Sequence, residues 1–364
     1  MEIPHNNTRE VFKEAKSYIP KIKQRKYPVE IIKQVVGIDV SKDTLVAGYG
    51  TLSITQEQKI TPAKTFDNNL SGFRELISFT KKNKGTLTAP LYFVMEATGV
   101  YYENLAYFLT EKHLKVIVVL PNKTKNFSKT LDIKSKTDKL DAQMITQFGL
   151  ERQMQPWQVP SPLMKALKAL TREYNSIKRM ASQVKNQIHA KEYSYEPLKE
   201  SLKRSKATLS VFQKQLKEIE KQLKELVQND SDLNDRINKI DKIEGVGFMT
   251  VVSIVAETNG FALIENTKQL TSYAGLDVVH NESGLKKHKT SISKKGNRFL
   301  RQAVYMPALS ACKYNPRLKH TYIRLVIKKN IKKIAIVAVA RKLLVLIYTI
   351  FKKNVDYVPN YIPA

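Results

Sequence analysis

Two aspartates, Asp138 and Asp141, stand three residues apart in a segment that is predicted to begin a helix. That spacing puts both carboxylates on one helical face, about one turn apart, where they can point at the same ion. Two carboxylates so close repel each other unless a cation lies between them. A single pair of this kind is more often a solvated helix edge, so its role depends on the residues that the fold brings to it.

Two further acids end strongly apolar runs that are typical of buried strands. Asp39 closes the run at 35–39, and Glu96 closes the run at 91–96. A charge that directly follows a buried strand needs a partner or a cation. If the first and fourth strands of one sheet lie side by side, the two carboxylates meet at its edge, and a later helix can bring Asp138 and Asp141 over them.

Oxygen ligands in this number suit Mg²⁺ or Mn²⁺, and a pair of such ions can hold both sides of an in-line phosphoryl displacement. Periodicity alone leaves Asp43 and Asp132 open as alternative ligands. Zinc is not favoured, because one cysteine and six scattered histidines offer no ligand spacing.

The elements that position these acids are predicted from hydrophobic periodicity. They form three antiparallel strands followed by alternating helix and strand, which predicts a mixed α/β sheet of the ribonuclease-H-like kind. The predicted strands are 35–39, 44–50, 52–65, 91–96 and 115–120, and the predicted helices are 70–79, 102–112 and 137–150.

A proline-rich break around Trp157 separates this region from two heptad series. The series run over 163–188 and 202–226, with Ser205 at one apolar position of the second. Both have the pattern of coiled-coil seams, and the break at 193–197 predicts an antiparallel hairpin of long helices. So narrow a seam leaves apolar surface for another subunit, so we expect a homo-oligomer, a dimer or a tetramer.

The charge of the chain favours a polyanionic partner. Lys and Arg total 62 against 33 Asp and Glu, a net charge of +29, and residues 285–355 contain no acidic residue. Residues 243–247, with the helical run 250–257, resemble a helix-hairpin-helix, whose glycines let a phosphate approach the backbone. The apolar run 334–350 contains Arg341 and Lys342, which favours a core helix over a membrane span. The single cysteine, Cys312, favours a reducing compartment, so the expected location is cytoplasmic, in association with the nucleoid.

Seven stretches in order along the chain are similar to one family. Residues 37–42, 96–101 and 136–142 resemble the three acidic motifs of the DEDD insertion-sequence transposases of the IS one-ten type, the bridge-RNA-guided recombinases related to the Piv invertases. The similarity continues at 274–276, 282–284, 292–297 and 300–301, and so spans about residues 35–350. It departs from the family in the amino-terminal extension and in Asp277, which stands where a proline is usual.

The resemblance implies a RuvC-like domain in which Asp39, Glu96, Asp138 and Asp141 hold Mg²⁺ or Mn²⁺. It also implies a carboxy-terminal domain whose serine nucleophile is at the position of Ser283. Composition alone would not choose Ser283 over Ser291 or Ser293. Basic residues near Ser283 are candidates for binding nucleic acid and stabilising phosphate charge. They are Lys286, Lys287, Lys289, Lys294, Lys295, Arg298 and Arg301.

The predicted organisation has four parts: an extension at 1–33, a RuvC-like metal-binding domain at 34–155, a coiled-coil hairpin at 162–233 and a mainly helical transposase domain at 234–355. The predicted function is excision and insertion of a mobile element by metal-assisted serine transesterification. Its expected partners are DNA (element ends and target) and a bridge RNA encoded by the element. The alternatives are a metal-dependent junction endonuclease that uses only the four acids, and a non-catalytic nucleic-acid-binding protein.

Overall fold

A computed structural model describes residues 30–131, 135–262, 264–279, 282–283, 286–287 and 290–359 of the protein. The chain forms two compact units, Met1–Val159 and Pro160–Ala364. Most of the predicted amino-terminal extension, residues 1–29, lies outside the described residues, and residues 31–33 already belong to the first strand.

The first unit contains a mixed six-stranded sheet with the order β3-β2-β1-β5-β6, in which β4 also pairs with β2. Strand β1 is antiparallel to β2 and parallel to β5, and β5 is parallel to β6. The predicted strand at 52–65 is instead two short strands, because Pro62 between them has no N–H to donate to the ladder. The strands are β1 (Ile31–Val40), β2 (Thr44–Ser53), β3 (Gln58–Ile60), β4 (Lys64–Asp67), β5 (Leu91–Glu96) and β6 (Lys115–Val119).

Four described helices accompany the sheet: α1 (Leu70–Lys84), α2 (Glu103–Glu111), α3 (Pro121–Ser128) and α4 (Asp138–Glu151). Alternate strand residues serve two separate cores, as the two-residue period of a strand requires. Val36 and Ile38 pack in the core shared with α1 and α2, whereas Val35 packs in the core shared with α3 and α4. The sequence did not predict α3, since it buries only Thr124 and Phe127 and has little periodicity.

Helix α4 lies unusually close to the sheet, and glycine makes this possible. A Cβ added at Gly37 of β1 would stand 2.2 Å from the backbone nitrogen of Thr146, and one added at Gly149 would stand 2.7 Å from Val35 Cγ1. The Thr146 hydroxyl donates across this contact to the carbonyl of Gly48 at 3.2 Å. The helix that begins with Asp138 and Asp141 is therefore fixed against β1, which carries Asp39 next to its last residue.

Replacing Gly37 with alanine is expected to destabilise the first unit by about 2–3 kcal/mol, because the new methyl group meets helix backbone that cannot move aside without displacing α4. Urea denaturation measures the change. Gly48→Ala is the matched control, because its Cβ would approach the side-chain hydroxyl of Thr146 at 3.0 Å and would come no closer than 3.8 Å to the helix backbone, at Ala142. An equal loss for both variants would contradict this account of the contact.

The second unit is largely helical. Its described helices are α5 (Pro162–Glu192), α6 (Lys199–Gln228), α7 (Ser231–Asp241), α8 (Phe248–Glu257), α9 (Thr267–Tyr273), α10 (Arg298–Tyr314), α11 (Pro316–Lys329) and α12 (Lys332–Lys353). Two short ladders join β7 (Val278–Val279) to β10 (Ser291–Ile292), and β8 (Glu282–Ser283) to β9 (Lys286–Lys287). One hydrophobic core includes residues from α5 through α12, so the finer division of this unit near residue 233 stays a prediction.

Helices α5 and α6 pack as the antiparallel hairpin that the heptads predicted. The Tyr174 hydroxyl donates to Glu220 at 2.7 Å, and Lys191 Nζ donates to Ser205 Oγ at 2.8 Å. The later residue of α5 thus contacts the earlier residue of α6, which shows that the two helices are antiparallel. Ser205, the polar residue in the second seam, is thereby satisfied by a cation from the facing helix. Leu167 of α5 and Leu223 of α6 are fully buried.

Helix α12 is long and apolar enough to cross a membrane by length and composition alone, but half of its most apolar window is buried within the protein. Val339, Leu343 and Ile347 are fully buried in the core of the second unit. These contacts agree with the prediction of a core helix at 334–350.

Candidate active site

Asp39 and Glu96 occupy neighbouring strand ends. In the parallel pair β1–β5, Ile38 lies opposite Met95, so the next residue of each strand is one of the two acids. Both acids are half-buried. The predicted meeting of the first and fourth strands at one sheet edge is confirmed by this register.

Helix α4 begins with the other two acids. Thr137 is its N-cap, and its hydroxyl accepts a hydrogen bond from the Leu140 backbone N–H at 3.3 Å. Asp138 and Asp141 fall in the first turn, where the positive end of the helix dipole stabilises carboxylates. Asp138 is exposed, and Asp141 is half-buried.

The four carboxylates act on one another electrostatically. Burial raises the pKa of Asp39 to about 6, and repulsion from Asp141, Asp138 and Glu96 adds to the rise. Burial likewise raises the pKa of Asp141, with Lys136 opposing the rise and Asp138 and Glu96 adding to it. The fold therefore concentrates negative charge at this edge of the sheet, and that charge raises the free energy of the protein unless a cation offsets it.

Glu96 is held in place by two hydroxyl groups. Thr124 of α3, which is almost fully buried, donates to Glu96 Oε2 at 2.5 Å, and Thr98 donates to Oε1 at 3.3 Å. These bonds restrict the carboxylate while leaving further lone pairs on its oxygens. Thr124 was not predicted from the sequence because helix α3 was not, although Pro121 at its start is a known helix-start signal.

The donors fit a hard divalent cation in type and charge, since all are carboxylate oxygens that repel one another. Among the residues that the structure describes, however, no three His, Cys, Asp or Glu side chains are arranged as a ready ligand set. The four acids therefore share an electrostatic field without forming a preformed coordination shell. Of the two alternative ligands, Asp43 is exposed in the β1–β2 turn, and Asp132 lies outside the described residues.

Ser283 belongs to the second unit. It ends β8, where its backbone pairs with Lys286, while Glu282 pairs with Lys287. The backbone thus brings Lys286 and Lys287 beside the serine in a tight antiparallel ladder. Lys289 lies outside the described residues, and the roles predicted for Ser283 and for these lysines remain predictions.

The loop after β10 carries the other predicted nucleic-acid contacts. Lys294 and Lys295 are exposed, as is Arg298 at the start of α10. Arg301 instead points back into the protein, where Nη1 donates to the carbonyls of Ala274 at 2.9 Å and Gly296 at 3.1 Å. Its guanidinium thus holds the loop to the end of α9.

The two alternative serines both lie in or next to β10. Ser291 is exposed in the strand, and Ser293 follows it. The Ser293 hydroxyl donates to Asp277 Oδ1 at 2.5 Å, which ties the end of β10 to the start of β7.

Two glycines allow the segments 274–276 and 292–297 to pack against each other. Gly275 has a positive φ of 64°, and a Cβ added at Gly296 would stand 2.6 Å from the backbone nitrogen of Gly275. These segments are two of the stretches that resemble the transposase family.

An ionic network around the buried Glu257 carboxylate anchors the same loop to helix α5. The Glu257 carboxylate accepts from Arg172 Nε at 2.7 Å and from Arg172 Nη2 at 3.0 Å. It also accepts from Asn297 Nδ2 at 2.7 Å. The Asn297 side-chain oxygen in turn caps α10 by accepting from the N–H groups of Phe299 and Leu300. This network was not predicted from the sequence. Its one indication there is Glu257, the single acid at the end of the apolar run of α8.

Replacing Glu257 with glutamine is expected to destabilise the second unit by about 1–3 kcal/mol, because the amide cannot accept all three charge-assisted hydrogen bonds. The loss stays below that of a fully buried pair, since the Arg172 side chain is 44% exposed and can be rehydrated. Chemical denaturation measures it. Glu225→Gln is the control, because Glu225 pairs with Lys221 at the surface, and an equal loss there would contradict the account.

Two family comparisons cover most of the chain. Residues 36–191, which include the four acids, match the DEDD transposase family of the IS110 type. Residues 237–323, which include Ser283, match the transposase IS116/IS110/IS902 family. The two matches occur in the order that the motifs predicted.

Similar proteins are known in three bacterial species. The pilin gene-inverting protein of Moraxella lacunata is 31% identical over 330 residues, which cover 88% of this chain and 97% of that protein, and its counterpart in Moraxella bovis is 30% identical over the same length. The transposase for the insertion sequence element IS1111A of Coxiella burnetii is 27% identical over 127 residues, 34% of this chain and 35% of that protein. The protein therefore belongs to the IS110 family of insertion-sequence transposases.

Proposed function

We propose that this transposase cuts and rejoins DNA with Ser283 as the nucleophile and with a divalent cation, Mg²⁺ or Mn²⁺, held by Asp39, Glu96, Asp138 and Asp141. The observation that supports the metal site is the convergence of four carboxylates from β1, β5 and α4 at one sheet edge. A ribonuclease-H-like (RuvC-like) assignment for this sheet is part of the same proposal, supported by the strand order and by the helix that follows with two acids.

In the proposed reaction, the Ser283 hydroxyl oxygen attacks the phosphorus of a DNA phosphodiester. A serine O–P bond forms, one DNA O–P bond breaks, the serine proton is lost, and a DNA hydroxyl leaves. The covalent phosphoserine conserves the bond energy, so attack by a DNA hydroxyl from another strand end reverses the step and joins new partners. The bound cation would supply charge stabilisation to the transferring phosphate.

The residues around each group have supporting roles. Thr124 and Thr98 hold the Glu96 carboxylate in place, and the close packing of α4 on Gly37 holds Asp138 and Asp141. The lysines paired with the serine strand, Lys286 and Lys287, bring positive charge toward the attacked phosphate. Lys289, Lys294, Lys295 and Arg298 are proposed to bind the DNA backbone, and Arg301 to hold the loop that carries two of them.

The proposed partners are the element ends, the target DNA, and a guide RNA encoded by the element. A homo-oligomer is proposed because the seam of the α5–α6 hairpin is narrow and apolar residues of the hairpin outside it, such as Met180 and Val211, remain exposed. The proposed location is the cytoplasm, in association with the nucleoid. The net charge of +29 supports polyanionic partners but does not distinguish DNA from RNA.

A strand-exchange assay tests this function. The purified full chain is incubated with Mg²⁺, DNA carrying the element ends, target DNA, and RNA transcribed from the sequence beside the gene, and new junctions are sequenced. Joined junctions that need both Mg²⁺ and the RNA are expected. Joining without RNA would contradict the guidance, and cut ends without any joining would favour the junction endonuclease that uses only the four acids.

A further inference from the structure

One face of helix α11 carries a row of cations around a threonine. Arg317, Thr321 and Arg324 are four and three residues apart, a spacing that places them on the same side of the helix. Thr321 is buried, and its hydroxyl accepts a hydrogen bond from Lys342 Nζ of helix α12 at 3.1 Å. Two helices that pack together thus bring three cationic side chains to one place.

The three cations repel one another. Burial lowers the pKa of Lys342, and the positive charges of Arg324 and Arg317 lower it further. Bringing like charges together in this way costs stability unless an anion is bound. Within the described residues none of the three forms an ion pair.

The surrounding acids do not neutralise the cluster. Glu244 lies near its Arg317 end, but its Oε2 accepts hydrogen bonds from the neutral Asn315 amide at 2.9 Å and the Tyr357 hydroxyl at 2.9 Å. Residues 285–355 contain no acid that could serve instead. The contrast with α7 is clear, because there Arg236 and Lys239 each pair with an aspartate one turn earlier on their own helix.

We propose that Arg317, Arg324 and Lys342, none of which belongs to the proposed metal or serine chemistry, form a binding site for a backbone phosphate of nucleic acid. Guanidinium groups bind phosphate oxygens in pairs of parallel hydrogen bonds, and a lysine adds a point charge. Such contacts position a nucleic acid without reading its bases. The site rests on the family's action on DNA and requires neither the serine chemistry nor the metal.

The test compares two double variants with equal loss of charge. Arg317→Gln/Arg324→Gln removes the site, whereas Lys319→Gln/Lys329→Gln removes two cations of α11 that lie away from that face. Fluorescence anisotropy measures binding of the full chain to a random-sequence duplex DNA and to a structured RNA at several salt concentrations. Magnesium is left out and both variants carry Ser283→Ala, so failure of the proposed chemistry cannot affect the result.

The site variant is expected to bind about tenfold more weakly, with the slope of log affinity against log salt reduced by about one for each phosphate that the protein no longer neutralises. The control is expected to bind less than about threefold more weakly by this reasoning. A loss of affinity confined to DNA or to RNA identifies which backbone occupies the site. Equal losses in the two double variants, or no loss in either, would overturn the proposal.

A further variant distinguishes loss of the phosphate site from loss of stability. Lys342→Met keeps an unbranched side chain of similar length and removes the charge. It is expected to weaken binding while leaving the thermal unfolding temperature equal or higher, because it relieves repulsion from Arg317 and Arg324. A lower unfolding temperature together with unchanged binding would show that the cluster is structural, and would also overturn the proposal.

Discussion

Replacing Ser283 with alanine is expected to reduce strand cleavage by about 10⁴-fold or more and to eliminate the covalent protein–DNA product. The physical reason is that no other oxygen is assigned to make the new bond to phosphorus. DNA affinity is expected to stay nearly unchanged, because the hydroxyl contributes little beside the many cations. A denaturing gel with end-labelled DNA measures both cleavage and the covalent product.

Ser293→Ala is the matched control for this variant. Ser293 lies in the same region, but its hydroxyl is engaged by Asp277, so its removal is expected to weaken the β7–β10 ladder and to lower cleavage only modestly. Full cleavage by the Ser283 variant, with reduced cleavage by the Ser293 variant, would move the nucleophile to Ser293. Full cleavage by both would favour hydrolysis by the four acids alone.

Replacing Asp39 with asparagine is expected to lower strand cleavage at least about a hundredfold and, at the same time, to stabilise the metal-free protein. The folded-state pKa of Asp39, about 6, is above the value of about 3.9 expected in an unfolded chain. The protein therefore loses stability as the pH rises from about 4 to 6, when this carboxyl ionises among like charges. The asparagine variant avoids that loss.

The stabilisation at pH 7.5 is expected to be about 1–2 kcal/mol after allowance for the partial exposure of Asp39. Near pH 3.5 the variant and the wild type are expected to be equally stable. Added Mg²⁺ is expected to stabilise the wild type at pH 7.5 more than the variant. Thermal unfolding across pH measures all three effects, with Asp43→Asn as the control, and a variant less stable than the wild type at pH 7.5 would contradict the account.

Most of the sheet and three of the four described helices beside it were predictable from the sequence because their signals are local. Continuous apolar runs lead up to Asp39 and Glu96, and a helical pattern begins at about residue 137. The carboxyl ends of these two strands and the start of α4 could therefore be placed within one or two residues. The split of the third strand was not predicted, since it depends on how Pro62 interrupts pairing with β2. Helix α3 is too short and too polar for periodicity to reveal it.

At the candidate site, too, the residues that act through tertiary contacts could not be predicted from the sequence. The four acids could be chosen from position and charge, but Thr124 and Gly37 act through tertiary contacts that no spacing reveals. The Arg172–Glu257–Asn297 network joins residues 40 and 85 positions apart, which a single sequence cannot pair. Only the resemblance of the surrounding motif to the transposase family points to Ser283, because residues 281–284 have the composition of an ordinary turn.

In the proposed reaction, Ser283 makes the bond to DNA while the four acids hold the cation. The most direct test of this is mass spectrometry of the covalent product, trapped by denaturing a reaction of the wild-type protein with Mg²⁺, RNA and DNA, then digested by protease and nuclease. A nucleotide or phosphate is expected on Ser283 in the peptide that contains it, and this attachment is expected to be absent when Mg²⁺ is omitted. Attachment to another residue, or abundant cleavage with no attached peptide at all, would contradict the proposed reaction.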